Sequence, residues 1–420
     1  MTPDPRPRSA VSHGVGIAGL VGLGVWMIVA RHYQMVGPFA AVAAIAAAGL
    51  PMVVWSLVID KVHRNPTTGI DWSAPPKRLS ETLDVSLAKL AGLWATWAIL
   101  AVIYGTVRSY WVGSYTFAMR SFIVAAPFLF AASIGYVLWL DTRLKNPHDG
   151  CWAFGSLLMG DRMADRSAIA DHLRSWAVKG FFLAFMLSGF PGNFFDTVQR
   201  ALPALNNPVA LAQFLISVMF LIDMTLATVG YILTMKPLDA HIRSATPYAS
   251  GWIAALICYP PFILMDPGPL NYHPGTADWA YWLRDYPARL WINGAMLVAL
   301  TAVYAWATVA FGLRFSNLTH RGILTHGPYS WMRHPAYVSK NAFWWLSTLP
   351  FLVTTDSLAD AARNTAIIAT VSGVYWWRAM TEERHLRADE DYRTYAAWID
   401  RNGWFARAKR MLAAGKPDAA

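Results

Sequence analysis

The amino-acid sequence predicts an all-α, polytopic helical membrane protein with about ten transmembrane helices, and three observations carry that prediction. The first is composition: 55% of the 420 residues are hydrophobic and 14% charged, with a mean hydropathy of +0.33, far more apolar than a water-soluble enzyme. The second is segment length. A hydrocarbon layer about 30 Å thick requires roughly 20 apolar residues as helix, and about ten segments approach that length. The third is charge: with the N-terminus inside, the alternate segments on that side hold 27 of the 35 Lys and Arg residues. That distribution predicts both termini on the cytoplasmic side.

The expected spans are 11–30, 37–59, 86–107, 117–140, 177–195, 207–235, 248–265, 288–313, 335–354 and 360–379. The first could be a signal peptide, but the second follows at once with no small-residue cleavage site, so it reads as retained. Close glycines in "GIAGLVGLGVW" have no strand before them and read as helix packing. The turn-rich inner loop around Asn65-Pro66 and Pro75-Pro76 cannot be continuous helix. The inner segment 146–179 mixes apolar and charged residues, as expected of a short helix in the interface. Twenty-one Trp and 17 Tyr suit the headgroup region and pocket walls.

Several chemistries are disfavoured. Cys151 and Cys258 lie far apart and suggest neither a metal cluster nor a disulfide framework. The basic residues are scattered among loops, so the net charge of +10 reads as membrane topology, with no nucleic acid as partner. His148-Asp149 and Asp171-His172 lack a second ligand pair and read as solvated loop residues. Asn317-Leu318-Thr319 matches a glycosylation sequon on an inner loop and is set aside. Ionisable residues within spans are functional candidates, which singles out Asp223 and, near the start of the fourth span, Arg120. Asp223 either acts directly or pairs with another helix.

Two polar cassettes stand out in the last third. In "HGPYSWMRHPAYVSK", Gly327-Pro328 makes a turn and Pro335 suits the first turn of a helix. His334, Tyr337, Asn341 and Trp344 then share one helix face, with Lys340 nearby. Snorkelling to headgroups would also explain such a helix end. The second cassette, "RAMTEERHLRADEDYRTYAAWI", pairs Arg378 with Glu382 and Glu383 with Arg387 at i, i+4, the pattern of a salt-bridged helix face. A hairpin between the last two spans would bring both cassettes to one end, over an apolar cleft.

Together the cassettes resemble the isoprenylcysteine carboxyl methyltransferase and phospholipid methyltransferase superfamily of integral-membrane enzymes. Gly327, Tyr329, Arg333, His334, Pro335 and Tyr337 match its G-x-Y-x-x-x-R-H-P-x-Y motif, and Glu382, Glu383 and Leu386 match E-E-x-x-L. The match covers about residues 290–400. Glu390-Asp391 and Ser339 depart from the prenylcysteine branch, which bears on the acceptor and not on the cofactor. The resemblance implies an N-terminal transmembrane helical region of unknown role (1–287), a catalytic region (288–412) and a disordered tail (413–420). It implies S-adenosylmethionine as cofactor and methyl transfer to a lipidic or hydrophobic acceptor, by carboxyl O- or amine N-methylation, with membrane lipids as partners. His326, Gly327, Tyr329, His334, Tyr337, Glu382 and Glu383 would bind the cofactor. Arg333, His334 and Tyr337 would be catalytic, Arg333 taking a carboxylate. An NADPH-dependent reductase of the sterol reductase type shares the same C-terminal hairpin and would need extra cations such as Arg314, Arg321 and Lys340. A transporter or lipid-binding protein would depend on neither cassette.

Overall fold

The computed structural model describes residues 4–265 and 268–414. Fourteen helices make up most of it: α1 (His13–His32), α2 (Pro38–Val54), α3 (Leu79–Thr106), α4 (Tyr115–Asp141), α5 (Gly150–Leu158), α6 (Arg166–Gln199), α7 (Pro208–Ile232), α8 (Ala249–Leu256), α9 (Trp279–Leu283), α10 (Pro287–Phe311), α11 (Pro335–Thr348), α12 (Leu358–Leu386), α13 (Glu390–Asn402) and α14 (Trp404–Ala414). Two antiparallel two-residue strands, β1 (Ser244–Ala245) and β2 (Thr319–His320), pair Ser244 with His320 and Ala245 with Thr319. The protein is thus an all-helical polytopic membrane protein. The tail expected at 413–420 starts inside α14, and residues 415–420 lie outside the described residues.

Six helices among the described residues are long and apolar enough to span a bilayer, four fewer than expected: His13–His32, Pro38–Ile59, Leu79–Thr106, Tyr115–Asp141, Pro208–Ile232 and Pro287–Arg314. α6 and α12 have the length, at 34 and 29 residues, but carry too many polar side chains along it. The other two expected spans are interrupted by proline. α8 stops after eight residues, shortly before Pro260-Pro261, and α11 stops at 14, with Leu349 left-handed and Pro350 next. Fourteen residues rise only about 21 Å.

The chain from β1 through α8 and the stretch after it nevertheless follows the length of α12. Ser244 Oγ meets His385 Nε2 at 3.0 Å at the end of α12. Gly275 O accepts from Thr354 N at 2.8 Å, and Pro274 O accepts from Asn364 Nδ2 at 2.9 Å, near the start of α12. Between those contacts Cys258, Met265 and Tyr272 pack on Ile368, Val371 and Tyr375. Irregular backbone at such depth is tolerated because protein covers it.

α1, α2, α6 and α7 share the largest hydrophobic cluster. Glycine permits the α1–α2 approach, since a Cβ on Gly22 would fall 2.0 Å from Ala47 O, in keeping with the packing role expected of this segment. α5 packs against α3, where a Cβ on Gly155 would fall 1.6 Å from Ala88 O, and leaves Leu158 and the following Met159 exposed. His148 is exposed, as expected, whereas the half-buried Asp149 and His172 have partners within the protein. Asp149 caps α5 through Trp152 N and lies 3.3 Å from Lys89 Nζ and 3.2 Å from Lys236 Nζ, while His172 Nε2 meets Thr96 Oγ1 at 2.9 Å. Lys89 also binds Asp141 at 2.6 Å, a fully buried pair that ties α3 to α4. Arg120 is exposed.

Candidate functional site

The connection between α10 and α11 forms the floor of the site, and buried arginines hold it in place. Arg314 pairs with Asp239 at 2.7 Å and donates to Arg321 O at 2.6 Å. Arg321 donates to the carbonyls of Phe315 (2.7 Å), Leu313 (2.8 Å), Gly230 (3.0 Å) and Ala240, where the chain leaves α7 and α10. Helix ends leave carbonyls without partners, and one guanidinium with five donors meets several of them. Asp239 also accepts from Asn65 and Thr67, so the turn-rich loop 60–78 braces this floor.

Above it, α11 and α12 face each other and bring the two cassettes together. His334 Nε2 lies 2.9 Å from Glu383 Oε1, and the Tyr337 hydroxyl donates to Glu382. The His334 and Tyr337 rings stack at 5.9 Å. Glu383 is buried and almost fully used, with Arg333 Nε at 3.1 Å and Arg387 at 3.0 Å. Burial alone would raise its pKa, but the hydrogen bonds from His334 and Arg387 and the charge of Arg333 outweigh that and bring it down to about 2. Glu382, in contrast, faces a cavity.

That cavity, about 180 Å³, is over ten times what one water requires. Tyr259, Tyr304, Thr308, Asn317, Tyr329, Arg333, His334, Tyr337, Lys340, Tyr375, Arg378, Glu382, Tyr392 and Tyr395 line it. Of the residues singled out from the sequence, Tyr329, Arg333, His334, Tyr337 and Glu382 thus meet in one place. Glu383 stands behind them as a clamp. His326 and Gly327 do not line the cavity: His326 Nδ1 turns to Ser9 Oγ at 2.6 Å, its ring 4.2 Å from that of His13. Burial, aided by the neighbouring His13, pushes the His326 imidazole down to about 4, so it is neutral at pH 7. Gly327 serves the turn, at φ 58°.

Arg333 is bound to Glu383 and to Asp400 at 3.2 Å, which leaves it less able to take a ligand's carboxylate. The cavity holds another guanidinium. Arg378 is buried, and among the described residues no carboxylate lies within 4 Å of it. Its partners are Asn317 Oδ1 at 3.3 Å and the faces of Tyr337, Tyr375 and Tyr259 at 5.2, 5.3 and 5.6 Å, while Nε has none. The spacing of Arg378 to Glu382 suggests a salt bridge, and only the companion pair, Glu383 with Arg387, forms. Lys340 is similarly framed by the rings of Trp344, Tyr375 and Tyr304 at 5.1, 5.2 and 5.5 Å. Sequence periodicity marked only Tyr337 and Trp344 of this aromatic frame, because its rings come from four separate elements. Tyr392 and Tyr395 close the far wall, with Tyr395 donating to Tyr329 O at 2.7 Å, and burial raises both phenols' pKa well above the ordinary value.

Fold and site together define a helical membrane protein with a partly open, aromatic-walled cavity that carries a few charged side chains. A family model described as a protein of unknown function (DUF1295) matches residues 283–399, from the end of α9 into α13, which includes most of the cavity wall. No curated protein and no solved structure matches the chain.

Proposed function

We propose that this protein is an S-adenosylmethionine-dependent methyltransferase that modifies a lipidic or otherwise hydrophobic acceptor from the cytoplasmic face of a membrane. The observation that carries the reading is the pairing of an uncompensated buried guanidinium, Arg378, with an acceptor-only carboxylate, Glu382, in one cavity. A ligand with a free amino-acid end complements both: its carboxylate answers Arg378 and its ammonium answers Glu382. The faces of Tyr337, Tyr375 and Tyr304 already hold Arg378 and Lys340, so a third charge, a sulfonium, would draw on Glu382 and on the cavity's other rings, Tyr329, Tyr392 and Tyr395. S-adenosylmethionine has all three groups and supplies a methyl on the sulfonium.

In this reading His334 and Tyr337 orient the ligand, with Glu383 holding the imidazole and Glu382 the phenol. Arg378 takes the role that the motif suggests for Arg333. The chain's task is to align donor and acceptor and exclude water. A second reading, an NADPH-dependent reductase, draws on the same two unpaired cations, Arg378 and Lys340, and the matching family is associated with steroid 5-alpha-reductase-like as well as membrane-methyltransferase-like proteins. It loses Arg314 and Arg321 as phosphate ligands, since both are taken up in the floor.

The test is calorimetric titration of the detergent-purified protein with S-adenosylmethionine, S-adenosylhomocysteine and NADPH. Saturable binding of the two adenosyl ligands, lost in Arg378→Met and in Glu382→Gln and absent for NADPH, is the expected result. Binding of NADPH alone overturns the reading in favour of the reductase, and binding of none favours a transporter or lipid-binding protein.

A further inference from the structure

Asp223 lies in the middle of α7, outside the segment that the family model matches. It is 7% exposed, and among the described residues no Lys, Arg or His nitrogen lies within 4 Å of its carboxylate. Two hydroxyls from α10 hold it instead: Tyr304 donates to Oδ2 at 3.0 Å, and Thr308 donates to Oδ1. Both of those residues line the cavity, where the Tyr304 ring shares Lys340 with Tyr375, and the Tyr375 ring is 5.8 Å from that of Tyr337. The cation whose charge reaches it is Lys340, on the other side of the Tyr304 ring and outside salt-bridge range. A buried carboxylate held only by hydroxyls is a costly way to join two helices, which an amide or an apolar pair does at less expense. In a membrane span such a group marks a proton or ligand path.

We propose that Tyr304 and Asp223 form a proton relay for the methyl acceptor, which is therefore a neutral alcohol, phenol or amine and not a carboxylate. The inference rests on the methyltransferase reading and narrows its acceptor. As the acceptor's oxygen or nitrogen lone pair bonds to the methyl carbon, the methyl–sulfur bond breaks and its electron pair stays on sulfur. The acceptor's proton passes to the Tyr304 oxygen, whose own proton passes to Asp223 Oδ2 and later to water. The sulfonium charge and the carboxylate charge disappear together, so the cavity's net charge is unchanged through transfer. A carboxylate acceptor would have no proton to give and would leave Asp223 without work. Tyr304 faces the acceptor, and Asp223 acts through it.

The test uses the full chain in detergent, methyl-labelled S-adenosylmethionine and four probes, dodecanol, dodecylamine, dodecanethiol and dodecanoate, alongside a bacterial polar lipid extract. Transfer to the alcohol, the amine or a hydroxyl- or amine-bearing lipid is expected. Asp223→Asn and Tyr304→Phe should slow that transfer by about 100-fold or more. S-adenosylhomocysteine binding should stay within about twofold, and transfer to the thiol, which ionises far more readily than an alcohol, should fall much less. Dodecanoate as the preferred probe, or undiminished transfer in Asp223→Asn, overturns the relay. Equal loss of ligand binding and of transfer to every probe makes Asp223 structural and also overturns it. No transfer by the wild type to any acceptor overturns the methyltransferase reading itself, and the relay with it.

Discussion

Glu382 and Glu383 are neighbours in one motif, yet the structure gives them different work, and replacing each with Gln separates the two. Glu383 accepts from His334 at 2.9 Å, from Arg333 at 3.1 Å and from Arg387 at 3.0 Å, and its carboxyl sits at about 2 against an ordinary 4.5. Each pKa unit is worth about 1.4 kcal/mol, so the shift corresponds to about 3 kcal/mol of stability. The half-exposed Arg387 is partly screened, which brings the expected cost of Glu383→Gln to about 2 kcal/mol. Because the folded-state pKa is depressed, this stability is fully present above about pH 5 and is lost as pH falls toward 2. The gap between wild type and variant should therefore narrow over that window. Glu382→Gln keeps an acceptor for the Tyr337 hydroxyl, so its stability cost should stay below about 1 kcal/mol. Its loss of charge in the cavity should weaken S-adenosylhomocysteine binding by about tenfold or more. Thermal unfolding followed by tryptophan fluorescence between pH 3 and pH 7, with calorimetric titration at pH 7, measures both. Equal stability of Glu383→Gln and wild type at pH 7, or greater damage from Glu382→Gln, would refute the assignment.

Three further perturbations follow from the packing and the site. Arg378→Met should weaken ligand binding by about tenfold or more while the melting temperature holds or rises, because no carboxylate is left behind; a fall in melting temperature with binding intact would contradict this. Arg321→Met strips partners from the carbonyls of Gly230, Ala240, Leu313 and Phe315 and should destabilise by about 4 kcal/mol, read from thermal unfolding. Gly155→Ala places a Cβ 1.6 Å from Ala88 O, so α3 and α5 must part at a cost of about 3 kcal/mol; a melting temperature equal to wild type would show that α5 docks elsewhere.

Much of the site could be read from the cassettes because each lies on one helix. Residues of one helix keep their spacing whatever surrounds them, so His334 and Tyr337, and Glu382 and Glu383, were recognisable as pairs. What periodicity could not show is which member of a pair points into space and which into a neighbour. Arg378 illustrates the limit: four residues before Glu382 it reads as half of a salt bridge, and in the fold it turns toward tyrosines from three elements. His326 errs in the other direction, a cassette residue next to the motif that packs against the N-terminal segment. Span counting met a similar limit at α8 and α11, where local apolarity was high but proline stopped the helix and protein packing took over the covering.

The sequence by itself determined the solvent, the class and the two cassettes, since hydropathy, charge asymmetry and helical spacing are properties of short stretches that any environment must satisfy. Only the tertiary structure decided the cavity. Its cations, its aromatic frame and the carboxylate behind Tyr304 come from α7, α10, α11, α12 and the segment after α8. Whether a buried charge is satisfied depends on what the other helices bring to it.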